Sequence, residues 1–405
     1  MPGAARGPLP GPLAPAVMSG LSDPTDPAPG TTPESRVRSY LFHSVRVAKA
    51  GAWCATFDAT VRVVGGLLAM PVVPVDLDGV RAAFGLTHAV EVVSHHPGAS
   101  GVWRLRAGGD TFAVKVLPAG EDWTRRQIAR QGHLERAAAA AGVAMAEVVT
   151  PHSAALGLCA EVGGQLVEVH RWVDVLPEGA RVDPAGLHRW LGRTLALLHG
   201  LIPLGGDQDS DLAQSYAVHP LADWAEWVAD AHRLGLGWAA AGTELLEVIP
   251  AATVLITSAL ADPSLPRCLT HRDLNPPNVL HTEDGPVLCD FGYAGPDVSW
   301  LEAVSTAASF DAPDVLPAYL DAGGRIGPTG TIALARAVGS AANWLAFNMW
   351  LSLGHRDVDP DQRRHATVKV PGLCREVIDR VTHQDTARRE LLGALPVPPD
   401  PVDPR

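Results

Sequence analysis

The chain has 405 residues, 47% of them hydrophobic, and a formal net charge of −12 at pH 7. This length and apolar content suffice for two hydrophobic cores, whereas the negative charge argues against a nucleic acid partner, which needs a basic face. Five cysteines without a C-x-x-C pair argue against a disulfide framework and a zinc site, and no charge-free run is long enough to span a membrane. We therefore expect a soluble, cytoplasmic protein with no membrane partner.

The two ends of the chain differ in composition from its middle. Residues 1–39 are rich in proline and glycine, and the first 33 contain nine prolines, five glycines and no aromatic residue, which predicts disorder. Residues 40–74 are more apolar but have no clear period. Two explanations stay open for them: translation begins at Met70, or they are an extra segment that packs on the first domain. Residues 396–405 form a second tail rich in proline.

Residues 75–169 have the pattern of a small α+β domain. Val75 to Leu77 open a short helix, and a longer helix over residues 122–141 ends near Gly142. Apolar, alternating segments predict strands at 90–93, 102–105, 111–117 and 165–169. Lys115 stands in the middle of the third of these strands. The first two strands are joined by a loop that contains Gly98, Ser100 and Gly101.

Residues 176–395 are mainly helical by the same criteria. Asp183 is a typical helix cap, with Pro184 at the first helical position and an apolar face that extends to Leu198. Further helices are predicted at 220–248, 300–321 and 330–353. The last of these contains the most apolar stretch without a charge, Ala337 to Leu353, and a buried core helix explains it best.

Residues 271–278 (HRDLNPPN) and 290–292 (DFG) are the most informative segments of the chain. Pro276 and Pro277 exclude an α-helix between Asp273 and Asn278, so this segment is expected to be an irregular loop. Two short apolar strands follow, joined by an Asp-Gly turn typical of a hairpin. The returning strand brings Asp290 beside Asp273 and Asn278.

This set of side chains suits phosphoryl transfer. A hydroxyl that attacks a γ-phosphate needs an acceptor for its proton, and Asp273 is placed for that role. The triphosphate needs Mg²⁺, which prefers hard oxygen ligands such as the Asn278 amide and the Asp290 carboxylate. His271 and Arg272 complete the H-R-D signature of kinase catalytic loops. Asn and Asp are also ordinary turn residues, but the combined match of type and spacing favours catalysis over a plain hairpin.

From these motifs the chain resembles the aminoglycoside phosphotransferase-like kinases, which are related to choline and homoserine kinases. The resemblance covers roughly residues 75–390. It implies an α+β, bilobal protein kinase-like fold, with a small antiparallel-sheet lobe carrying one helix and a larger, mainly helical lobe. It also implies ATP and Mg²⁺ as cofactors and a small-molecule hydroxyl acceptor. The DFG sequence after the loop departs from the family, in which further acidic residues more often follow the metal-binding Asp.

The resemblance assigns nucleotide contacts in the small lobe. Lys115 matches the lysine that holds the α- and β-phosphates, and the loop with Gly98, Ser100 and Gly101 matches the segment whose backbone approaches phosphate. A glutamate of the following helix usually orients that lysine. Glu135 is the glutamate available, although Gln131 stands where the partner is also expected. Residues 170–175, with His170 and Trp172, are expected to form the hinge that faces the adenine.

A protein kinase and a pseudokinase are the two alternatives to a small-molecule kinase. A protein kinase has a long activation segment that ends in Ala-Pro-Glu, whereas here Gly295 turns the chain and a helix begins near Trp300. A pseudokinase that binds nucleotide without turnover is disfavoured because the lysine, the base and both metal ligands are all present.

The acceptor is predicted from charge. Residues 207–232 contain acids and no Lys or Arg, together with Tyr216, Trp224 and Trp227; the acids are Asp207, Asp209, Asp211, Asp223, Glu226 and Asp230. Such a segment suits a cationic acceptor through Coulomb attraction and cation–π contacts, for example an aminoglycoside-like antibiotic or an amino-alcohol metabolite. A solvated acidic surface explains it equally well.

Overall fold

A computed structural model of the chain describes most residues from 75 to 395; the gaps are 97–101, 118–121, 154, 178–179, 181–182, 205–211, 213–215, 217–218, 356–359 and 394. The predicted tails, the segment 40–74 and the loop with Gly98, Ser100 and Gly101 lie outside the described residues.

The small lobe is a five-stranded antiparallel sheet with two helices. Its strand order is β1-β2-β3-β5-β4. The strands are β1 (Val90–His96), β2 (Val102–Ala107), β3 (Asp110–Leu117), β4 (Cys159–Val162) and β5 (Gln165–Arg171). The helices are α1 (Leu77–Phe84) and α2 (Asp122–Ala140). The side chain of Asp76 caps α1 by accepting the N–H of Gly79, so the short helix begins where the sequence predicts it.

The large lobe is mainly helical and carries two short β ladders. Its helices are α3 (Pro184–Leu201), α4 (Leu221–Arg233), α5 (Ala239–Ala261), α6 (Ser299–Ser309), α7 (Val315–Asp321), α8 (Ala335–Leu353), α9 (Pro360–Thr382) and α10 (Gln384–Leu392). Its strands are β6 (Arg267–Thr270), β7 (Val279–Thr282), β8 (Gly285–Leu288) and β9 (Gly295–Val298). Strand β6 pairs with β9 and β7 pairs with β8, both antiparallel. These two ladders form the side of the lobe on which the catalytic motif lies.

The main core of the large lobe forms around α3, α6, α7 and the β6–β9 ladder. Fully buried side chains include Leu191, Leu195 and Leu198 of α3, which confirms the predicted apolar face of that helix. Gly192 allows α3 to approach α7 closely, because a Cβ at this position would lie 2.6 Å from the backbone N of Tyr319. The fold predicted from the sequence, an antiparallel-sheet lobe followed by a helical lobe, is confirmed.

Two of the predicted helices were wrong in extent. The segment 220–248 contains α4 and the beginning of α5, separated by a turn in which Gly235 has a φ of 64°. The segment 300–321 is likewise interrupted between α6 and α7, where Asp311 has a φ of 51°. A left-handed residue ends a helix whatever the apolar period of the sequence around it.

Helix α5 is long and apolar enough to cross a membrane by length and composition alone, with a mean hydropathy of 1.6 over its best window. It is the one such helix in the part of the chain that the structure describes. Leu245 and Ile249 of this helix pack with Trp224 and Trp227 of α4 in a second hydrophobic core, so the helix is a component of the large lobe.

Candidate active site

The catalytic loop begins where β6 ends, and its first residues are held by the backbone. His271 is fully buried, and its Nε2 lies 3.1 Å from the carbonyl oxygen of Cys289. A carbonyl can only accept, so Nε2 carries the proton and Nδ1 is free to accept the N–H of Asp273 at 3.3 Å. The ring also packs edge-on against Phe291, with centroids 4.7 Å apart. His271 therefore ties the loop to the DFG segment.

The Asp273 carboxylate is oriented by two amides of the same loop. Its Oδ1 accepts from Nδ2 of Asn275 at 2.5 Å, and its Oδ2 accepts from Nδ2 of Asn278 at 2.9 Å. The same Asn278 nitrogen donates to the Asp273 carbonyl at 2.7 Å. These two neutral amides fix the position and orientation of the carboxylate. A carboxylate held in this way can accept a proton from a hydroxyl.

The β7–β8 hairpin brings Asp290 next to Asn278, as the sequence predicts. Val279 pairs with Leu288 in the ladder, and the N–H of Cys289 donates to the carbonyl of Asn278 at 3.0 Å. Asp290 itself has a φ of 62° and caps the following turn by accepting the N–H of Gly292. A left-handed aspartate at this point aims its side chain away from the hairpin and towards the small lobe.

Lys115 of β3 reaches across from the small lobe to Asp290. Its Nζ lies 2.7 Å from Oδ1 of Asp290 and 3.8 Å from Oε1 of Glu168. Burial disfavours the ammonium, yet the Asp290 and Glu168 carboxylates outweigh it and raise the pKa of Lys115 above its ordinary value. The lysine is a fixed cation in the site.

Glu135, predicted as the partner of Lys115, is close enough for its charge to raise the pKa of the lysine, but its ion pair is with His170. Glu135 of α2 lies instead next to His170, with Oε1 3.7 Å from Nε2 of that ring. Gln131 stands between the carboxylates, and its Nε2 is 3.3 Å from Glu135 and 2.6 Å from Glu168. The position of α2 against the sheet therefore places an amide near Lys115, while the acid that reaches the lysine comes from strand β5.

The connection between the lobes begins two residues later than the hinge predicted at 170–175. Strand β5 continues through Arg171, so His170 is a strand residue opposite Ala113, and the connection between the lobes begins at Trp172. The N–H of Trp172 donates to the carbonyl of Thr111 at 2.9 Å, and its ring lies under the guanidinium of Arg104 at 4.4 Å. Contact of this segment with adenine stays a prediction.

Contacts of Arg272 and Glu302 fix the backbone of the catalytic loop, residues 271–278. Arg272 is left-handed, with a φ of 61°, and its N–H donates to Oε1 of Glu302 at 2.6 Å. Its Nε donates to the carbonyl of Tyr293 at 2.8 Å, which joins the loop to the DFG segment a second time. A Cβ on Gly295 would lie 2.6 Å from the guanidinium carbon, so this glycine leaves room for the side chain.

A buried ionic layer supports these contacts. Oε2 of Glu302 lies 2.8 Å from Nε2 of His199. Burial opposes ionisation, but the hydrogen bond and charge of His199 hold the pKa of the Glu302 carboxyl below its usual range. Arg336 of α8 donates to the Arg272 carbonyl at 2.7 Å and lies 3.1 Å from Asp297. Each charge is compensated, as buried charges must be.

The sequence alone did not indicate a role in the site for Glu168, Glu302 or Arg336. Each was visible as a charged residue in an otherwise apolar segment, a combination that is rare unless the charge has a partner. The partners are distant in the sequence, so their identity required the structure.

The oxygens of Asn278 and Asp290 fit a magnesium ion. The hydrogen bonds of Asn278 use its Nδ2, which leaves Oδ1 for a cation, and those of Asp290 use Oδ1, which leaves Oδ2. Within the described ranges no group of three or more His, Cys, Asp or Glu side chains could hold a metal alone. Mg²⁺ commonly uses one or two protein oxygens together with substrate phosphates, and this donor set is compatible with that mode.

The aromatic part of the acceptor prediction is corrected. Tyr216, Trp224 and Trp227 are at most 2% exposed, so none of their faces is open to a cation from solvent. The hydroxyl of Tyr216 donates to Asp297 at 2.6 Å, and the tryptophans pack edge-on with each other and with His219. Glu226 is exposed on α4, whereas Asp230 is held by Arg233 at 2.9 Å. Asp207, Asp209 and Asp211 lie outside the described residues.

Comparison with known proteins agrees with this geometry. The model of the phosphotransferase enzyme family matches residues 91–334, which is more than half of the chain. A spectinomycin phosphotransferase, solved in complex with ADP and spectinomycin, superposes with a TM-score of 0.54 at 10% identity, over 78% of this chain and 98% of that one. At this identity the likeness shows a shared fold.

Two further solved structures are similar at lower scores. An aminoglycoside phosphotransferase from Alicyclobacillus acidocaldarius has a TM-score of 0.45 and 17% identity, over 81% of this chain and 99% of its own. A choline/ethanolamine kinase family protein from Mesorhizobium loti has a TM-score of 0.45 and 18% identity, over 75% and 94% of the two chains. No curated protein matches the sequence.

Proposed function

The chain belongs to the phosphotransferase enzyme family, and on this premise we propose that it transfers the γ-phosphate of ATP to a hydroxyl group of a small, cationic molecule. The acceptor is an alcohol, as it is for small-molecule kinases of this family. The proposal rests on the 2.7 Å contact between Nζ of Lys115 and Oδ1 of Asp290, next to the loop in which Asn278 orients Asp273.

Each of these side chains has a role that its surroundings support. Asp273 accepts the proton of the attacking hydroxyl, because the amides of Asn275 and Asn278 hold its carboxylate in a fixed orientation. Lys115 binds the phosphates of the nucleotide as a permanently charged group. Asn278 and Asp290 would hold Mg²⁺, which neutralises charge on the transferred phosphoryl group. Glu302 and Arg336 keep the loop backbone in register through the N–H and carbonyl of Arg272.

Nucleotide use is supported from two sides. The small lobe supplies a lysine strand and the large lobe supplies the oxygens for a metal, which is the division of labour that a bound nucleoside triphosphate needs. The spectinomycin phosphotransferase with the same fold was solved with ADP bound. Among the described residues Cys159, Cys268, Cys289 and Cys374 are buried and none is in a disulfide, in keeping with the reducing cytoplasm in which we place the reaction.

A cationic acceptor is supported by charge. The chain carries a net charge of −12, and the exposed Glu226 lies on helix α4 of the lobe that contains Asp273. With the aromatic residues of this segment buried in the core, attraction rests on carboxylates alone. Fields of this kind raise the local concentration of oppositely charged substrates.

The proposal is tested with pairs of alcohols that are matched in size, one carrying an amine and one neutral, incubated with Mg·ATP. We expect ADP release to depend on the acceptor and to be faster for the amine of each pair. ADP release that is independent of any acceptor would contradict transfer to an alcohol, and equal rates within pairs would contradict the preference for a cation.

The contribution of Glu226 is tested by Glu226→Gln, with Asp230→Asn as the matched control because Arg233 already pairs with Asp230. We expect the acceptor KM to rise for the first variant at low salt and to change little for the second. The KM for ATP should be the same in both. The difference should shrink at physiological ionic strength, where exposed charges are screened beyond roughly 8 Å.

A further inference from the structure

Glu168 of β5 is a buried acid that faces the phosphate-binding lysine. It stands directly opposite Lys115 in the β3–β5 ladder, and the two side chains therefore share one face of the sheet. Glu168 is 2% exposed and Lys115 is 4% exposed. One carboxylate oxygen lies 3.8 Å from the lysine nitrogen, and the other accepts from Gln131 at 2.6 Å.

The glutamate of helix α2 is occupied elsewhere. Glu135 lies 3.7 Å from Nε2 of His170, the next residue on the same face of β5. Burial opposes protonation of this ring, but the hydrogen bond and charge of Glu135 raise the pKa of His170 above its ordinary value. His170 thus compensates Glu135, and Gln131 separates the two carboxylates by donating to both.

Asp290 is the nearer neighbour of Lys115, but it is also the carboxylate assigned to the metal ion. Glu168 is the other acid in an ion pair with the lysine among the described residues, and its second oxygen accepts from Gln131. Its distance from Lys115 is set by the hydrogen-bond ladder of two adjacent strands. The pair therefore depends on the register of the sheet, whereas in kinases that use a helix glutamate it depends on the position of that helix.

Resting on the proposed function, we propose that Glu168, and not an acid of helix α2, is the positioning residue that keeps Lys115 aimed at the nucleotide phosphates. Gln131 links this carboxylate to helix α2, and the Glu135–His170 pair forms a separate contact between the helix and the sheet. The orienting acid then lies on the central sheet of the lobe and not on helix α2.

The test compares Glu168→Gln with Glu135→Gln, two isosteric changes of acids that are buried in the same cluster. Affinity for a fluorescent ATP analogue with Mg²⁺ is measured by titration, together with KM and kcat for ATP and for the acceptor. For Glu168→Gln we expect nucleotide affinity to fall by about tenfold or more, since removing the charge of one partner of a buried pair is costly. For Glu135→Gln we expect a change within about threefold, and for both variants an unchanged acceptor KM.

Conservative variants separate positioning from folding. Glu168→Asp keeps the charge and shortens the side chain, so it should bind the analogue more tightly than Glu168→Gln. If Glu168→Gln does not fold, Glu168→Asp is compared with Glu135→Asp, and only the first should weaken nucleotide binding. Equal affinities within either matched pair would overturn the role of Glu168.

The two levels of proposal fail in different ways. A parent protein that neither binds the ATP analogue nor transfers phosphate would overturn the proposed function. A parent protein that does both, with a Glu168→Gln variant that binds the analogue equally well, would overturn this inference alone.

Discussion

Nζ of Lys115 and Oδ1 of Asp290 lie 2.7 Å apart, although 175 residues separate them in the chain. One residue belongs to the central strand of the sheet lobe and the other to the turn after the β7–β8 hairpin. Burial disfavours the Asp290 carboxylate, but Lys115 outweighs this effect and keeps the pKa of Asp290 below its ordinary value. The pair is therefore charged on both sides at neutral pH, and it places the acid that we propose as a metal ligand beside the lysine that we propose binds the phosphates.

Asp290→Asn should raise the Mg²⁺ concentration required for turnover and lower the maximal rate. The amide keeps the volume of the side chain but removes the anionic oxygen that a hard cation prefers. The measurement is a Mg²⁺ titration of the initial rate at saturating ATP. Asp284→Asn, in the exposed turn of the same hairpin, is the control and should leave the titration unchanged. An unchanged titration for Asp290→Asn would remove this residue from the metal site.

Glu302→Gln should slow turnover while nucleotide affinity stays close to that of the parent. The carboxylate accepts the Arg272 N–H at 2.6 Å and contacts His199 at 2.8 Å, so an amide leaves one of these contacts unsatisfied. We expect the free energy of unfolding, measured in urea, to fall by about 1–3 kcal/mol, the usual cost of a buried unsatisfied group. Glu161→Gln, an exposed residue of β4, is the control for removal of one charge. Parent-like kcat in Glu302→Gln would show that the loop keeps its geometry without this acid.

His219 should make the protein less stable in mild acid. Burial lowers the pKa of this histidine to about 4 from an ordinary value of 6.5. Between these values the unfolded chain binds the proton and the folded chain does not, so stability falls as pH drops from about 6.5 to 4. From pH 7 to pH 5 the loss from this group is about 2 kcal/mol, at ~1.4 kcal/mol per unit of pKa difference.

The measurement is urea unfolding of the parent and of His219→Phe at both pH values. The phenyl ring keeps the edge-on contacts with Trp224 and Trp227 but cannot titrate. The stability difference between pH 7 and pH 5 should be smaller in the variant. An equal difference in both proteins would assign the acid sensitivity to other groups.

Local signals predicted much of this structure. Asp183 caps α3 through the N–H of Ala185 with Pro184 in the first turn, as its sequence indicates. The Asp-Gly turn after Glu283 forms the expected hairpin, and the spacing of Asp273, Asn278 and Asp290 predicted one site because the hairpin returns the chain. All of these features depend on residues that are close together in the sequence.

The features that were missed depend on packing between distant segments. Whether Glu135, Gln131 or Glu168 faces Lys115 is decided by the register of β3 with β5 and by the position of α2 on the sheet, and neither follows from periodicity. Helix α9 was not predicted; Pro371 lies inside it and interrupts the pattern typical of a helix. The tryptophans of α4 fitted a binding surface as well as a core until their burial was known.

Phosphate transfer itself can be followed by ³¹P NMR, with the parent protein or Asp273→Asn, Mg·ATP and an amine-bearing alcohol. The parent should convert ATP to ADP and one new phosphomonoester in equal amounts. Asp273→Asn should bind ATP normally but form the ester at least about 10²-fold more slowly, because the base acts only in the chemical step. Inorganic phosphate in place of an ester would contradict transfer to an alcohol. An undiminished rate in Asp273→Asn would contradict the role of Asp273 as the base.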